Sequence, residues 1–353
     1  MLATQLNRKN VIIDRKINRG SFADIYSAID FSTSQSLVIK IERPNAGVST
    51  IDAEAAILRT LQAVDGVPKV LWSGKINQRS SFITQRLGSS LYDHMALSRK
   101  FSLSTVIKLA IELLRILEQI HEQGILHLDL KPTNILTGLG SQKDKIFLID
   151  FNLSKPFIEK NGKHISLNRL NEFNGNIQFS SVNSHQFLEN SRKDDLESLG
   201  FLLYFLYWGK LSWDHIKSED ILHKIAAIGG GKKAFLKTIS NNPTIPACLK
   251  HYFISILNIG FFDKPNYEEL RKIFTNFSEK EGIKLGKEWE WDAEQQDDCK
   301  IMQMGKKASD ESTDYFISSE GTTFSDRNQN VSKILKNKNY VKYSEECDYG
   351  MIS

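Results

Sequence analysis

Cysteine is scarce in this chain of 353 residues: the three present, Cys248, Cys299 and Cys347, are odd in number, far apart and in no C-x-x-C spacing. That argues against a disulfide framework or a thiolate zinc site and favours a reducing compartment. Long apolar runs are also missing. The longest, Phe201 to Trp208, is too short to cross a bilayer, and Met1-Leu-Ala-Thr-Gln-Leu-Asn-Arg-Lys has no apolar stretch of signal-peptide length. Charge of one sign is not in excess either, with 46 basic and 42 acidic residues giving +4 and no arginine-rich tract, so neither nucleic acid nor a membrane is expected as partner. No repeat of solenoid or propeller period is present. The expectation is a soluble, monomeric, cytoplasmic protein, with Lys333 to Lys342 as a weak candidate nuclear signal.

At 41% hydrophobic content the chain can bury a sizeable core. From Val11 to about Glu42, short β-branched runs such as Leu37-Val-Ile-Lys-Ile are broken by Asn18-Arg-Gly-Ser and by Ser32 to Ser36, which predicts an antiparallel sheet. A helix over about Ile51 to Gln62 follows, then a β segment at Ser81-Phe-Ile-Thr and a turn at Leu87-Gly-Ser-Ser. Beyond Leu91 the pattern turns helical. Val106, Leu109, Ala110, Leu113, Ile116, Leu117 and Ile120 recur at three- and four-residue spacing, with Gly124 placed to end that helix. Leu199 to Trp208 is apolar on every face, which predicts a fully buried helix closed by Gly209. From about Asp292 the periodicity fades into Ser, Thr, Asn, Asp, Glu and Lys, so 292–353 reads as a disordered tail.

Two segments carry chemistry. His127-Leu-Asp129 leads into Lys131-Pro-Thr-Asn134, a loop directly after a helix, and Ile146-Phe-Leu-Ile-Asp150-Phe-Asn is an apolar strand that delivers a carboxylate at its C-terminal end. Phosphoryl transfer needs such a set: one carboxylate to orient an acceptor hydroxyl and take its proton, and oxygen ligands from an Asp and an Asn to hold Mg²⁺ on phosphates. Upstream, Lys40 on a strand and Glu54 on the next helix would pair in a folded sheet and aim an ammonium at those phosphates. Singly, each has a bland reading as a solvated surface charge. His94, His121 and His251 have no metal-ligand pattern and are assigned no role.

In this order and on these elements, Gly20-Ser-Phe, Lys40, Glu54, Asp129, Lys131, Asn134 and Asp150 resemble the protein kinase superfamily. Gly20-Ser-Phe-Ala-Asp-Ile-Tyr26, Gly66-Val-Pro-Lys, Ser181-Val-Asn-Ser-His185, Arg192-Lys-Asp-Asp-Leu-Glu-Ser-Leu-Gly200 and Asp263-Lys-Pro-Asn-Tyr267 resemble its casein kinase 1 family in particular. The resemblance implies an α+β, bilobal protein kinase fold, with a small antiparallel N-lobe sheet carrying one helix (11–86) and a larger, mainly helical C-lobe (87–291) after an extension over 1–10. It implies transfer of phosphate from Mg-ATP to Ser or Thr of intracellular proteins. Asp129 would be the base, Lys131 would stabilise developing charge, and Asn134 and Asp150 would bind Mg²⁺, while Lys40 and Glu54 position the α- and β-phosphates. Gly20, Ser21 and Ile25 would cover the nucleotide, with Val38 above the adenine, Leu136 below it, Thr84 as gatekeeper and Gln85 to Leu87 as hinge. Asp195 would brace the catalytic loop.

The departures matter too. The phosphate loop keeps only its middle glycine, with Asn18 and Ala23 at the outer positions, and Asn152 replaces the glycine after Asp150-Phe. Asn tolerates unusual φ and Ala is small, so closure over ATP is still expected. The competing reading is a pseudokinase scaffold that binds partners without efficient transfer. Leu128 stands where many kinases carry the arginine that pairs with a phosphorylated activation segment, which argues for competence without it. Val38, larger than the family's alanine, narrows the adenine pocket. Gln178 replaces the arginine of an anion pocket, which puts a preference for acidic substrates in question, although Lys217 and Lys224 remain nearby beside Ile221 and Leu222. In the tail, Thr313 follows Asp310 and Thr323 follows Glu320 by three residues, the ingredients of an intramolecular substrate.

Overall fold

The computed structural model describes residues 11–20, 22–44 and 50–292; Ser21, the 1–10 extension and the tail residues named above lie outside them. β1 (Val11–Arg19), β2 (Ala23–Asp30), β3 (Gln35–Glu42), β4 (Val70–Ile76) and β5 (Arg79–Gln85) form an antiparallel sheet in the order β1-β2-β3-β5-β4. The two-residue period of β3 sends Leu37, Ile39 and Ile41 into a small core with Val11, Ala28, Ile76 and Ile83, and turns Val38 and Lys40 to the opposite face. α1 (Ile51–Thr60) lies against the sheet and buries Ile51, Glu54, Ala55 and Leu58, one stripe at helical spacing. The sequence reading passed over β4, because Trp72, Ser73 and Gly74 interrupt the alternation that would mark a half-buried strand.

The rest is the expected helical lobe. It contains α2 (Leu91–Ser98), α3 (Leu103–Glu122), α4 (Val182–His185), α5 (Arg192–Trp208), α6 (Ile221–Thr238), α7 (Ala247–Leu257) and α8 (Tyr267–Lys280). Two small ladders, β6 (Ile125–Leu126) with β9 (Lys155–Pro156) and β7 (Ile135–Thr137) with β8 (Ile146–Leu148), fix the loops between α3 and α4. α3 buries Val106, Leu109, Ala110, Leu113, Leu117 and Ile120, and Gly124 turns the chain away with φ 73°. α5 starts earlier than its apolar run, at a capping box in which Ser191 N–H donates to Asp194 Oδ2 at 2.7 Å. Its C-terminal end is not fully enclosed: Tyr204, Phe205, Tyr207 and Trp208 are half-buried, with Phe205 edge-on to Phe179 at 5.4 Å. Aromatic rings at the rim of the lobe kept the run apolar without burying all of it. Among the described residues no helix is long and apolar enough to cross a membrane.

The C-terminal end of this unit is pinned by two tryptophans. Trp289 and Trp291 are buried and stack at 5.0 Å; Trp291 also stacks on His94 at 4.6 Å, and Lys108 Nζ sits 3.9 Å from the Trp289 ring centre. Between them Glu290 Oε2 accepts from Ser102 N–H at 3.1 Å and Thr105 Oγ1–H at 2.7 Å, so a carboxylate caps the start of α3.

α5 and α7 meet where α5 has no side chain. A Cβ on Gly200 would fall 2.6 Å from Cε1 and 2.9 Å from Cζ of the buried Phe253. Gly200→Val is therefore expected to cost about 1–3 kcal/mol, read as a lowered urea midpoint with unchanged slope.

Candidate active site

The face of β3 that carries Lys40 looks onto α1 and onto the loops of the larger lobe. Lys40 Nζ donates to both oxygens of Glu54, at 3.0 and 2.7 Å, and to Asp150 Oδ1 at 2.9 Å. Glu54 is 2% exposed, so its place in the buried stripe of α1 is tolerable only because the ammonium meets it. Burial pushes the Glu54 carboxyl up to about 7, aided by the negative Asp150 and opposed by Lys40. For Lys40, burial acts downward but Asp150 and Glu54 outweigh it, and the amine stays charged well above its ordinary value. Burial would raise Asp150 as well, yet Lys40 and Lys131 hold it below the usual carboxylate range.

Asp129, Lys131 and Asn134 lie on one loop between β6 and β7. Asp129 Oδ2 accepts from Lys131 Nζ at 2.9 Å and from Asn134 Nδ2 at 2.9 Å, and Asn134 Nδ2 also reaches the Asp129 carbonyl at 2.9 Å. The Asn134 amide is thus oriented by its nitrogen, which leaves the oxygen as the atom suited to a cation.

This loop owes its shape to Asp195, on the first turn of α5. Its carboxylate accepts from His127 N–H and Leu128 N–H, both at 2.8 Å, and from His121 Nε2 at 2.9 Å. Burial acts to raise Asp195, but His121 and the His127 amide keep it below the ordinary range. Leu128 (φ 66°) and Asp150 (φ 65°) both hold the left-handed conformation, unusual for residues with a Cβ, so the loops are over-determined by their bonds. His127 is locked in turn: Nε2–H donates to Ile149 O at 3.1 Å, and Nδ1 accepts from Asp129 N–H at 3.2 Å. Burial holds it neutral, and the buried Phe151 meets it edge-on at 4.8 Å.

Around this centre Gly20 closes the β1–β2 hairpin, its N–H on Ala23 O at 2.8 Å. Ile25 pairs with Lys40 across β2 and β3, and Val38 pairs with Thr84 across β3 and β5. Leu136 pairs with Phe147 on the ladder below; Ile25, Val38 and Leu136 are all half-buried. Gln85 stays in the sheet opposite Leu37, with its side-chain oxygen on Lys69 N–H at 2.9 Å. Leu87 is half-buried and, among the described residues, spends neither backbone N–H nor C=O on the protein, which suits an edge-on heterocycle. Gly88 packs so close to β7 that a Cβ would meet Thr137 Oγ1 at 2.4 Å. Of the sequence-expected residues that are described, Lys40, Glu54 and Asp150 meet in one cluster and Asp129, Lys131 and Asn134 in another, while Gly20, Ile25, Val38, Gln85, Leu87 and Leu136 lie on the sheet, the turn after it and β7.

Mg²⁺ fits the donor set. Asp150 and Asn134 offer hard oxygens, and no cluster of three or more His, Cys, Asp or Glu that could hold a metal occurs among the described residues. Two protein ligands suit an ion that keeps waters and shares substrate phosphates.

What stayed hidden around Ser181 and Gln178 is the set of bonds that holds them. The Ser181-Val-Asn segment is tied to α5 by Ser181 Oγ–H on Asp194 Oδ1 at 2.6 Å and Val182 N–H on Glu197 Oε1 at 2.7 Å. Asn176 Oδ1 accepts from the amides of Gln178 (2.9 Å) and Phe179 (3.3 Å), an Asx turn that the Asn-x-x-Phe spacing allowed but did not announce. Gln178 is half-buried and its side-chain oxygen is buried without a hydrogen-bond partner; Lys217 is exposed and Lys224 half-buried on α6.

Asp195→Asn is expected to leave at least one of the two loop amides facing an N–H, at a cost of about 1–3 kcal/mol. Faster hydrogen exchange at the His127 and Leu128 amides, together with a lower thermal midpoint, is the expected reading.

A family model described as a protein kinase domain matches residues 11–270.

Proposed function

The chain belongs to the protein kinase domain family, and from that premise we propose that it is an active serine/threonine kinase of the casein kinase 1 type, with Asp129, Lys131, Asn134 and Asp150 as its transfer residues. One observation carries this reading: Lys40, Glu54 and Asp150 are joined by hydrogen bonds, and Asp129, Lys131 and Asn134 are clustered on one loop. Sites that need no rearrangement contribute most of the electrostatic part of catalysis. The Ser181-Val-Asn segment supports the casein kinase 1 assignment, and Lys131, two residues after Asp129, supports hydroxyls of Ser or Thr as acceptors.

On this reading the half-buried Ile25, Val38 and Leu136 sandwich adenine, and the Leu87 backbone meets its edge. Lys40, held by Glu54, faces the α- and β-phosphates. Mg²⁺, held by Asp150 and the Asn134 oxygen, would neutralise charge on the transferring phosphate. Asp129 accepts the proton of the acceptor hydroxyl as its oxygen attacks, and Lys131, 2.9 Å from Asp129, is placed to follow the charge onto the γ-phosphate oxygens. The acceptor is a protein segment, and Gln178 argues against a strict need for acidic or phosphorylated neighbours. The scaffold reading rests on Asn18, Ala23 and Asn152. It gains no support from a cleft whose charged groups are all engaged.

The test is Mg²⁺-dependent transfer of labelled phosphate from ATP to casein. Asp129→Asn and Lys40→Met are each expected to lower it by at least roughly a hundredfold while the fold survives; a folded but silent wild type would overturn the proposal in favour of a scaffold. Acidity gives a second check. Glu54 has a raised pKa, so it takes up a proton as pH falls through about 7 and slackens its hold on Lys40. Affinity for a non-hydrolysable Mg-ATP analogue is expected to drop several-fold between about pH 8 and 6 in wild type, and to be weak and flat in Glu54→Gln.

A further inference from the structure

α6 carries a lysine on its buried stripe. Ile225, Ile228, Gly229, Lys232, Phe235 and Leu236 face inward together, and Lys232 is 0% exposed. A buried amine with no purpose costs several kcal/mol, so its contacts decide its meaning. Its Nζ donates to Ile177 O at 3.0 Å and to Ser180 O at 2.6 Å, and lies 2.9 Å from His185 Nε2. The Phe201 and Trp213 rings stand 5.1 and 5.2 Å away. Burial pulls the amine well below its ordinary pKa, and the negative Glu197 opposes that pull. Burial and Lys232 press His185 down to about 3, so it is neutral; its Nδ1 lies 2.9 Å from Ile225 O, and its Nε2 lies 3.0 Å from Ile177 O as well as 2.9 Å from Lys232 Nζ.

The two carbonyls bracket the stretch that continues from Gly175, whose own Cβ would lie 3.3 Å from Leu128 O on the catalytic loop. Further bonds hold the stretch from the lobe and from within itself. Trp213 Nε1–H donates to Gln178 O at 3.0 Å, Asn176 Oδ1 takes the amides of Gln178 and Phe179, and Asn176 O takes Ser180 N–H at 2.8 Å. The segment thus rests on bonds from the lobe beneath it, and Gly175 at its start lies against the loop that carries Asp129.

We propose that Lys232 is a positioning residue for the acceptor protein: from inside the lobe it holds residues 177–180 as a preset platform on which the segment bearing the Ser or Thr hydroxyl lies. This rests on the kinase reading of the same site. Lys232 touches neither nucleotide nor acceptor; it acts through the backbone it holds, so loosening it alters the placing of the acceptor and not the holding of ATP.

The experiment compares wild type, Lys232→Met, which keeps the length and removes the donors, and Lys232→Gln, which keeps two. In full-length protein, peptide KM is expected to rise roughly tenfold or more in Lys232→Met while KM for ATP stays within about twofold, with Lys232→Gln in between. Amide exchange at 177–182 should quicken and that at 127–134 should not. Unchanged peptide KM in a folded Lys232→Met, or KM values for peptide and ATP that rise together, overturns the proposal. If Lys232→Met does not fold, Lys232→Gln alone decides it by the same split. A silent wild type sinks the kinase reading and the platform with it, whereas an active wild type with indifferent Lys232 variants sinks the platform alone.

Discussion

One buried ammonium shared by two carboxylates joins the sheet to the helical lobe. Lys40 and Asp150 are 110 residues apart in sequence and 2.9 Å apart in space, and Glu54 completes the junction from α1. With Asp129 and Lys131 counted, the site holds three carboxylates and two ammonium groups in two hydrogen-bonded clusters, Lys40 with Glu54 and Asp150, and Lys131 with Asp129. The imbalance is negative and partly enclosed, a field that disfavours a bare triphosphate and favours one that arrives with a divalent cation. Burial, aided by the negative Asp150, lifts Glu54 toward neutrality, so the residue that anchors the site is also its softest acid.

α5 does for the loops what Lys40 does for the lobes. Three acidic side chains near its start are buried, and they are spent on backbone or hydroxyl donors of two other segments: Asp194 and Glu197 on Ser181 and Val182, Asp195 on His127 and Leu128. The apolar body of the helix sits in the core, so these carboxylates are carried on a rigid mount and their bonds inherit its precision. Leu128 can therefore keep a left-handed backbone without a glycine, and the loop does not need an arginine at that position to be ordered.

Much of this was legible beforehand from the order of the charged residues along the chain. Glu54 falls on the stripe of Ile51, Ala55 and Leu58, and Lys40 on a β-branched strand, but singly each passes for a solvated charge; their order with Asp129 and Asp150, and not periodicity, marked them. Asp129 and Asp150 follow a helix and an apolar strand whose ends are equally plain. What stayed hidden depends on partners distant in sequence. Lys232 sits on the inward phase of α6, but a sequence containing Gly229, Gly230 and Gly231 blurs the stripe that would have exposed it. β4 is marked by pairing with β5 more than by its own residues. His121 carried no pattern at all; its meaning comes from Asp195, 74 residues on.

The two tryptophans at the end of the unit bear on where this domain stops. Recognisable kinase sequence runs to residue 270, which falls inside α8, Tyr267–Lys280. The packing continues: Phe274 is fully buried, and Trp289 and Trp291 close over α2 and the start of α3. A boundary drawn at the end of the family match would sever a helix and strip the cap from the longest one in the lobe. A family signature persists where chemistry constrains it, whereas the packing among the described residues carries on to Trp291, some twenty residues further.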